Sequence, residues 1–284
     1  MTALERVDGQ VRLTETVSCQ SGLVVGLASD PGRIRERNED ASLAWQFTLA
    51  QLGQPPLPVG LFAVADGMGG HLLGQQASAL AIRLAAAHVI RQVGMPFLSD
   101  DESMLACPPI NEVLESSVRI AHQAVLRRLP EAGTTLTMAL VLGDSAYITH
   151  VGDSRAYLGE RGRLRCLTKD HSVAARLIEM GQATPEEVAT QRHILYKAIG
   201  QGAQIEPDVV YHDLDQEQYL LICCDGLWTV VSDEEMGAIV DTAPTPDCAC
   251  QNLIARANQG GGDDNISVIV VARKWPVPVR KPQD

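Results

Sequence analysis

Apolar residues in this chain gather into short runs that stop abruptly at acidic residues. LVVGLAS (23–29), LFAVAD (61–66), QYLLICC (218–224) and NISVIVVAR (265–273) are rich in aliphatic and β-branched residues and bounded by Gly, Pro or Asp, the pattern of buried strands. SLAWQF (42–47) predicts a further strand, and QLGQPPLPVG (51–60) a Pro/Gly loop before the run at 61. Between 134 and 168 the period shortens into β segments, with hairpin turns expected at Gly143-Asp144 and Arg161-Gly162. Two longer stretches carry helical spacing instead. Residues 74–93 are Ala- and Leu-rich without proline. In 110–129 the positions Val113, Leu114, Val118, Ala121, Val125 and Leu129 line one face.

Shorter helices are predicted at 172–181, at 184–193 with Thr184 as cap and Pro185 first, at 232–240, and at 248–260 before a glycine stop. Strands joined by tight turns are antiparallel, and helices that come in pairs between such blocks pack on sheet faces. The fold class expected is therefore α+β. One domain is expected over 21–274, with an N-terminal tail or edge strand at 1–20, a surface loop at 95–109 and a disordered C-terminal tail at 275–284.

Composition narrows the partners. The chain has 284 residues, 45% of them hydrophobic, and a formal net charge of −12, so nucleic acid and anionic membranes are poor partners. No apolar run reaches bilayer length and the start carries acidic residues rather than a signal-peptide core, so a cytoplasmic location is expected. Seven cysteines, an odd number, read as reduced thiols rather than a disulfide framework, and Cys248-x-Cys250 lacks the second pair a zinc site needs.

Four aspartates sit at the ends of apolar runs: Asp66, Asp153, Asp225 and Asp264. Strand ends far apart in sequence can converge in a sheet. Carboxylates gathered in this way repel one another unless cations neutralise them, and an all-oxygen set suits hard ions such as Mg²⁺ or Mn²⁺. Each residue alone has a plainer reading. Asp66-Gly67 and Asp225-Gly226 are turn dipeptides, Asp153 could pair with Arg155 in a β-turn, and Asp264 could be a loop carboxylate. The nest of Arg33, Arg35, Arg37, Asn38, Glu39 and Asp40 reads either as a solvated loop or as a phosphate-gripping arginine with acids behind it. His71 and His171 read as structural or surface histidines rather than catalysts, and Trp45, Trp228 and Trp275 as packing or tail residues. No phosphate-binding P-loop, nucleophile elbow or zincin motif is present.

Taken in order, GRIRERNED (32–40), FAVADGMGGH (62–71), GTTLTMALV (133–141), HVGDSRAYL (150–158), LTKDHS (167–172), LICCDGLW (221–228) and GGDDNISVIVV (261–271) resemble the bacterial metal-dependent serine/threonine protein phosphatases of the PP2C (PPM) family, over about residues 22–273. The resemblance implies a four-layer α/β/β/α sandwich of two antiparallel sheets flanked by helix pairs. It implies two or three Mg²⁺ or Mn²⁺ ions: Asp66 as bridging ligand, the Gly67 carbonyl on one ion, Asp225 and Asp264 on the other, and Asp153 on a third. Glu39 and Asp40 match acids that act on metal-bound water, Arg35 matches the arginine that grips the phosphoryl group, and 170–198 matches a flap that meets the substrate. Hydrolysis of phosphoserine and phosphothreonine by a metal-bridging hydroxide follows from it. The implied partners are phosphoproteins, a serine/threonine kinase among them, with the enzyme a monomer. A phosphatase-like binding or regulatory module and a small-phosphoester hydrolase are the alternatives. Two departures stand out: Met68 occupies the place where eukaryotic members carry a general-acid histidine, and Gln75 the place of a glutamate. Residues 48–60 and 95–109 are longer than compact members need.

Overall fold

The computed structural model describes residues 3–7, 10–14, 22–50, 55–69, 72–98, 108–191 and 193–275. Near the N-terminus β1 (Ala3–Val7) and β2 (Gln10–Thr14) pair antiparallel in a small sheet of their own, where a loose tail or single edge strand was expected. The dipeptide between them, Asp8-Gly9, is a strong hairpin signal. The following strands are β3 (Val24–Asp30), β4 (Ala41–Leu49), β5 (Leu57–Ala65) and the short β6 (Gly67–Met68). Helix α1 (Leu72–Val89) runs into a π-helical turn at Ile90–Gly94, and α2 is Ile110–Arg128. Then come β7 (Gly133–Thr134), β8 (Leu136–Leu142), β9 (Ser145–Val151), β10 (Arg155–Glu160) and β11 (Arg163–Cys166), followed by α3 (Val173–Glu179), β12 (Asp208–Asp213) and β13 (Tyr219–Cys223). The chain closes with α4 (Asp225–Trp228), α5 (Asp233–Thr242), α6 (Pro246–Gln259) and β14 (Ile266–Ala272).

Two antiparallel five-stranded sheets result, ordered β11-β10-β13-β14-β3 and β12-β9-β8-β5-β4. Strand periodicity sorts their side chains between layers. In β5, Phe62 and Val64 face the other sheet and meet Ile148, Ala156, Leu220, Ile222 and Ile269. Leu61, Ala63 and Ala65 turn the other way, onto Ala81, Ala85, Leu114 and Val118 of α1 and α2. On the opposite flank Leu221, Cys223, Val268 and Val270 pack under Met236, Val240, Leu253 and Ala257 of α5 and α6. The four layers α/β/β/α are thus a direct consequence of apolar residues on both faces of each central strand.

Three local expectations change. The loop expected over 51–60 ends earlier, because β5 begins at Leu57. Pro58 lies near its start, opposite Thr48, and offers only its carbonyl, which accepts from the Gly143 amide at 2.8 Å. Strand β12 is an addition to the expected strands: Asp208–Asp213 is a short, half-exposed Val-Val-Tyr run between acidic residues, recruited as an edge by pairing with β9. The helix expected at 184–193 shrinks to a 3₁₀ turn at Ala189–Gln191. Thr184 and Glu187 do exchange their capping hydrogen bonds (2.8 and 3.4 Å), yet Val188 is the only large apolar side chain there that is buried, too little to hold a full helix. The described cysteines, Cys166, Cys223, Cys224, Cys248 and Cys250, are all free. Among the described residues no helix is long and apolar enough to cross a membrane. His71 and residues 276–284, and most of the segment 95–109, lie outside the described residues.

Phe62 is fully buried between the sheets. Phe62→Ala should lower stability by about 3–5 kcal/mol through lost apolar burial and an unfilled cavity. Denaturant unfolding of the two proteins measures the difference; a change under about 1 kcal/mol would show that the inter-sheet layer is not the structural core.

Candidate metal-binding and phosphate-binding site

The acidic residues sit at one end of the sandwich because the strands deliver them there. Asp66 follows β5, and its backbone is clamped from both sides. Its amide donates to Thr135 Oγ1 (2.9 Å), and its carbonyl accepts from the Thr135 amide (2.9 Å) and Thr134 Oγ1 (2.8 Å). Thr135 Oγ1 also bonds Ser154 Oγ at 2.7 Å, which ties the Asp66 junction to the turn that carries Asp153. Gly67 is required sterically. A Cβ there would lie 2.2 Å from the Gly74 carbonyl oxygen and 2.6 Å from that of Glu39. Gly226 is packed as closely: its Cβ would meet the Asn265 carbonyl oxygen at 2.0 Å, and this contact brings Asp225 beside Asp264.

Asn265 organises the remainder. Its side chain accepts from the Glu39 amide (2.8 Å) and donates to the carbonyls of Pro31 (3.0 Å) and Arg37 (2.8 Å). The loop 31–39 is thereby folded against the start of β14. Arg33 adds a backbone bond to the Gly262 carbonyl at 2.7 Å. Gly32, at φ +79°, approaches the Asp264 carbonyl so closely that a Cβ would stand 2.2 Å from it. Neither Asn265 nor Thr135 stands out in the sequence as a site residue, because their partners lie far away in the chain.

The result is a cleft of about 320 Å³ into which Arg35, Glu39, Asp66, Gly67, Asp153, Asp225 and Asp264 all project. Asp40 is the exception among the expected site residues: it lies in the wall behind, not in the lining. Asp153 does not pair with Arg155 as a β-turn would have it. Arg155 instead forks onto Asp170 (2.9 and 2.7 Å) and stacks over Trp228 at 3.5 Å, while Trp228 Nε1 donates to the Asp153 carbonyl. Met68 lines the cleft, and Gln75 is exposed on α1. His171 is structural, as read from the sequence: it stacks on His150 and accepts the Gly152 amide at 3.0 Å. A larger cavity, about 550 Å³, lies beside it under α3. Three of its four cations, Arg155, Lys169 and Lys197, are paired with Asp170, Glu179 and Asp208, and the fourth, Arg176, lies over the Tyr196 ring, so it holds no comparable excess of one charge.

The electrostatics of the acidic cleft are those of a site short of positive charge. Burial, with Asp225 and Asp264 nearby, pushes Asp40 up to about 7 even though Ser267 and Cys224 pull it down. Burial and the charges of Asp225 and Asp170 push Asp153 up to about 8. Burial first, then neighbouring carboxylates, also raise Asp66 and Asp225. Both Asp40 oxygens and Asp225 Oδ1 are buried with no donor in hydrogen-bond geometry. Orphaned carboxylate oxygens of this kind are costly unless a cation meets them. Among the described residues no three acidic or other ligand side chains already form a closed cage. Arg35 explains part of this, since its guanidinium holds Asp264 at 2.8 Å in the role of a cation. The donor set, all oxygen and anionic, fits Mg²⁺ or Mn²⁺.

Two outcomes follow from this geometry. Asn265→Ala removes three buried hydrogen bonds and should cost about 2–4 kcal/mol of stability, with Arg35 and Glu39 displaced and turnover lost. An unchanged melting curve and unchanged turnover would remove Asn265 from its organising role. The raised carboxyls also set a pH dependence. An acid whose pKa rises from its ordinary 3.8 to about 7 or 8 on folding keeps its proton in the native state while the unfolded chain has lost it. Stability of the metal-free protein should therefore fall as pH rises from about 4 to about 8. Mn²⁺ should raise Tm more at pH 8 than at pH 5; a metal effect independent of pH would count against the site.

Comparison with known proteins places this geometry. The family model for protein phosphatase 2C matches residues 32–266. The serine/threonine phosphatase stp of Listeria monocytogenes is 34% identical over 247 residues, covering 86% of this chain and 94% of that protein. The crystal structure of the Mycobacterium tuberculosis serine/threonine phosphatase PstP/Ppp superposes with a TM-score of 0.70 at 33% identity, covering 89% of this chain and 99% of that one. The PstP catalytic domain in complex with two manganese ions gives a TM-score of 0.68 at 34% identity over 88% of this chain and 98% of that one. With the matched region running from the arginine loop to the last strand, the chain belongs to the protein phosphatase 2C family of metal-dependent serine/threonine protein phosphatases.

Proposed function

We propose that this phosphatase hydrolyses phosphoserine and phosphothreonine on proteins in the acidic cleft, with Asp66, the Gly67 carbonyl, Asp225 and Asp264 holding two Mg²⁺ or Mn²⁺ ions and Asp153 a third. The observation that carries this reading is the convergence of four strand-end aspartates on one cleft, three of them with carboxyls pushed up by mutual crowding and burial. When bound, the cations supply the missing positive charge and a water acidified towards the nucleophile. The protein's own side chains do the rest.

Arg35 exchanges Asp264 for the phosphoryl group and forks onto two of its oxygens, where it meets charge as it builds in the transition state. The Arg35 side chain is 54% exposed where it lines the cleft, which leaves it room to make that exchange. Glu39, its amide fixed by Asn265, and Asp40 behind it orient the attacking water and draw off its proton. Direct passage of the phosphoryl group to water fits a cleft lining that carries no thiol and whose one hydroxyl, Thr135, is engaged by the Asp66 amide and Ser154. A protein substrate is favoured over a small ester by the apolar side chains that the flap leaves exposed, Ile178, Met180, Ile194 and Tyr196. Protein phosphoserine and phosphothreonine are made by kinases, so a serine/threonine kinase is the expected counterpart. The free cysteines support a reducing, cytoplasmic setting.

Asp66→Asn and Asp264→Asn should each abolish Mn²⁺-dependent hydrolysis of a phosphothreonine peptide while leaving the circular dichroism spectrum unchanged; full activity in either would refute the ligand assignment. Arg35→Ala should raise KM for the peptide and, by releasing Asp264, tighten Mn²⁺ binding in calorimetry by about two- to fivefold, the range of an exposed ion pair. Unaltered KM and metal affinity would remove Arg35 from the site.

A further inference from the structure

The flap brings a histidine to the cleft. His193, in the turn closed by the Ile194 amide on the Gln191 carbonyl (3.1 Å), and Leu195, bridged to Ser172, both line the acidic cleft, while Ile194 and Tyr196 are exposed. The segment is stitched to the core at both ends. The Val173 amide donates to the Ile194 carbonyl (2.8 Å) and the Tyr196 amide to the His171 carbonyl (2.9 Å), while the His171 amide donates to the Gly152 carbonyl (2.7 Å), one residue before Asp153. Further on, Ile199 exchanges both backbone bonds with Thr134 (3.0 and 2.9 Å), whose hydroxyl donates to the Asp66 carbonyl. Main-chain bonds therefore register His193 against the segments that carry Asp66 and Asp153.

Hydrolysis of an alkyl phosphate expels an alkoxide, a poor leaving group that needs a proton. Few groups in the cleft can give one. Arginine does not release its proton in a protein, the aspartates would hold the cations, Glu39 serves the attacking water, Thr135 and the Asn265 amide are engaged, and Met68 and Leu195 have no proton to give. Histidine is the side-chain type that exchanges a proton near neutral pH.

We propose that His193 is the general acid of this phosphatase, placed by the flap to protonate the serine or threonine oxygen as it leaves. The inference rests on the phosphatase reading above. In the step, a bond forms between the water oxygen and phosphorus and the bond from phosphorus to the side-chain oxygen breaks. The proton passes from the His193 imidazolium to that oxygen, so the alcohol departs neutral. The proton shed by the attacking water returns the imidazole to its charged form through solvent, and the net change is ester plus water to alcohol plus phosphate.

The test compares leaving groups. Alkyl phosphoesters need the proton and p-nitrophenyl phosphate, whose phenolate leaves readily, does not. In His193→Gln with Mn²⁺, the ratio of kcat on a phosphothreonine peptide to kcat on p-nitrophenyl phosphate should fall by about 100-fold, the lower range for a lost general acid. Plotted against leaving-group pKa, log kcat should steepen across a series of aryl phosphates. His193 is exposed, so the variant should fold, and its melting curve and Mn²⁺ affinity by calorimetry should match the parent protein. Equal losses on both esters, or no loss on either, would overturn the assignment to His193 while leaving the phosphatase reading intact. A parent protein that hydrolyses neither ester with Mn²⁺ would overturn both.

Discussion

Repulsion among carboxylates governs this molecule. Asp66, Asp153, Asp225 and Asp264 would spread apart if their side chains alone decided the matter, and they are held together by backbone geometry instead. The forces that oppose the repulsion are neutral hydrogen bonds placed a step away from the charges. Thr134 and Thr135 grip the backbone of Asp66, Trp228 caps the carbonyl of Asp153, and Asn265 binds the arginine loop to β14. Each bond is worth only about 1 kcal/mol net, but they act on main-chain atoms that cannot rotate away. The sandwich supplies the rest, with an apolar layer on either side of every central strand, so that the strand ends have no freedom to separate. The pent-up repulsion is what makes the cleft receptive to cations, since neutralising it releases free energy already stored in the fold.

Arg35 shows how the chain copes without that neutralisation. It reaches across to Asp264, and a residue suited to phosphate serves meanwhile as a stand-in counter-charge. An arginine suits both duties because its planar fork matches carboxylate and phosphate alike. The contact is exposed and therefore weak, which makes the exchange easy in either direction.

The sequence made some of this legible and hid the rest for physical reasons. Runs such as LFAVAD and LLICCD announce a strand that stops at an acid, and a buried central strand leaves an unbroken apolar record. The helix faces of α2 were readable because Val113, Leu114, Val118, Ala121 and Val125 repeat at helical spacing and are all buried. Strand β12 escaped because its apolar part is only Val209, Val210 and Tyr211, and an edge position that leaves it half-exposed asks for no longer run. Asn265 escaped because a hub is defined by its partners, and Pro31, Arg37 and Glu39 lie more than two hundred positions earlier. The partner of Arg155 could not be read from proximity: Asp153 is the nearer acid in sequence, yet the guanidinium forks onto Asp170. The chemistry of His193 was out of reach altogether, since nothing in the string of residues tells which face of the flap looks inward.

The way the flap is anchored has a consequence for how relatives can diverge. Its two limbs, at 171–173 and 194–199, are sewn to the core by main-chain bonds, whereas among the described residues around the 3₁₀ turn only Val188 is buried. Backbone bonds are indifferent to side-chain identity. The limbs can thus tolerate exchange of residues without moving, and the tip can lengthen, shorten or change its surface without tugging on the catalytic floor. Recognition of different target proteins can drift at the tip while the chemistry beneath it stays constant.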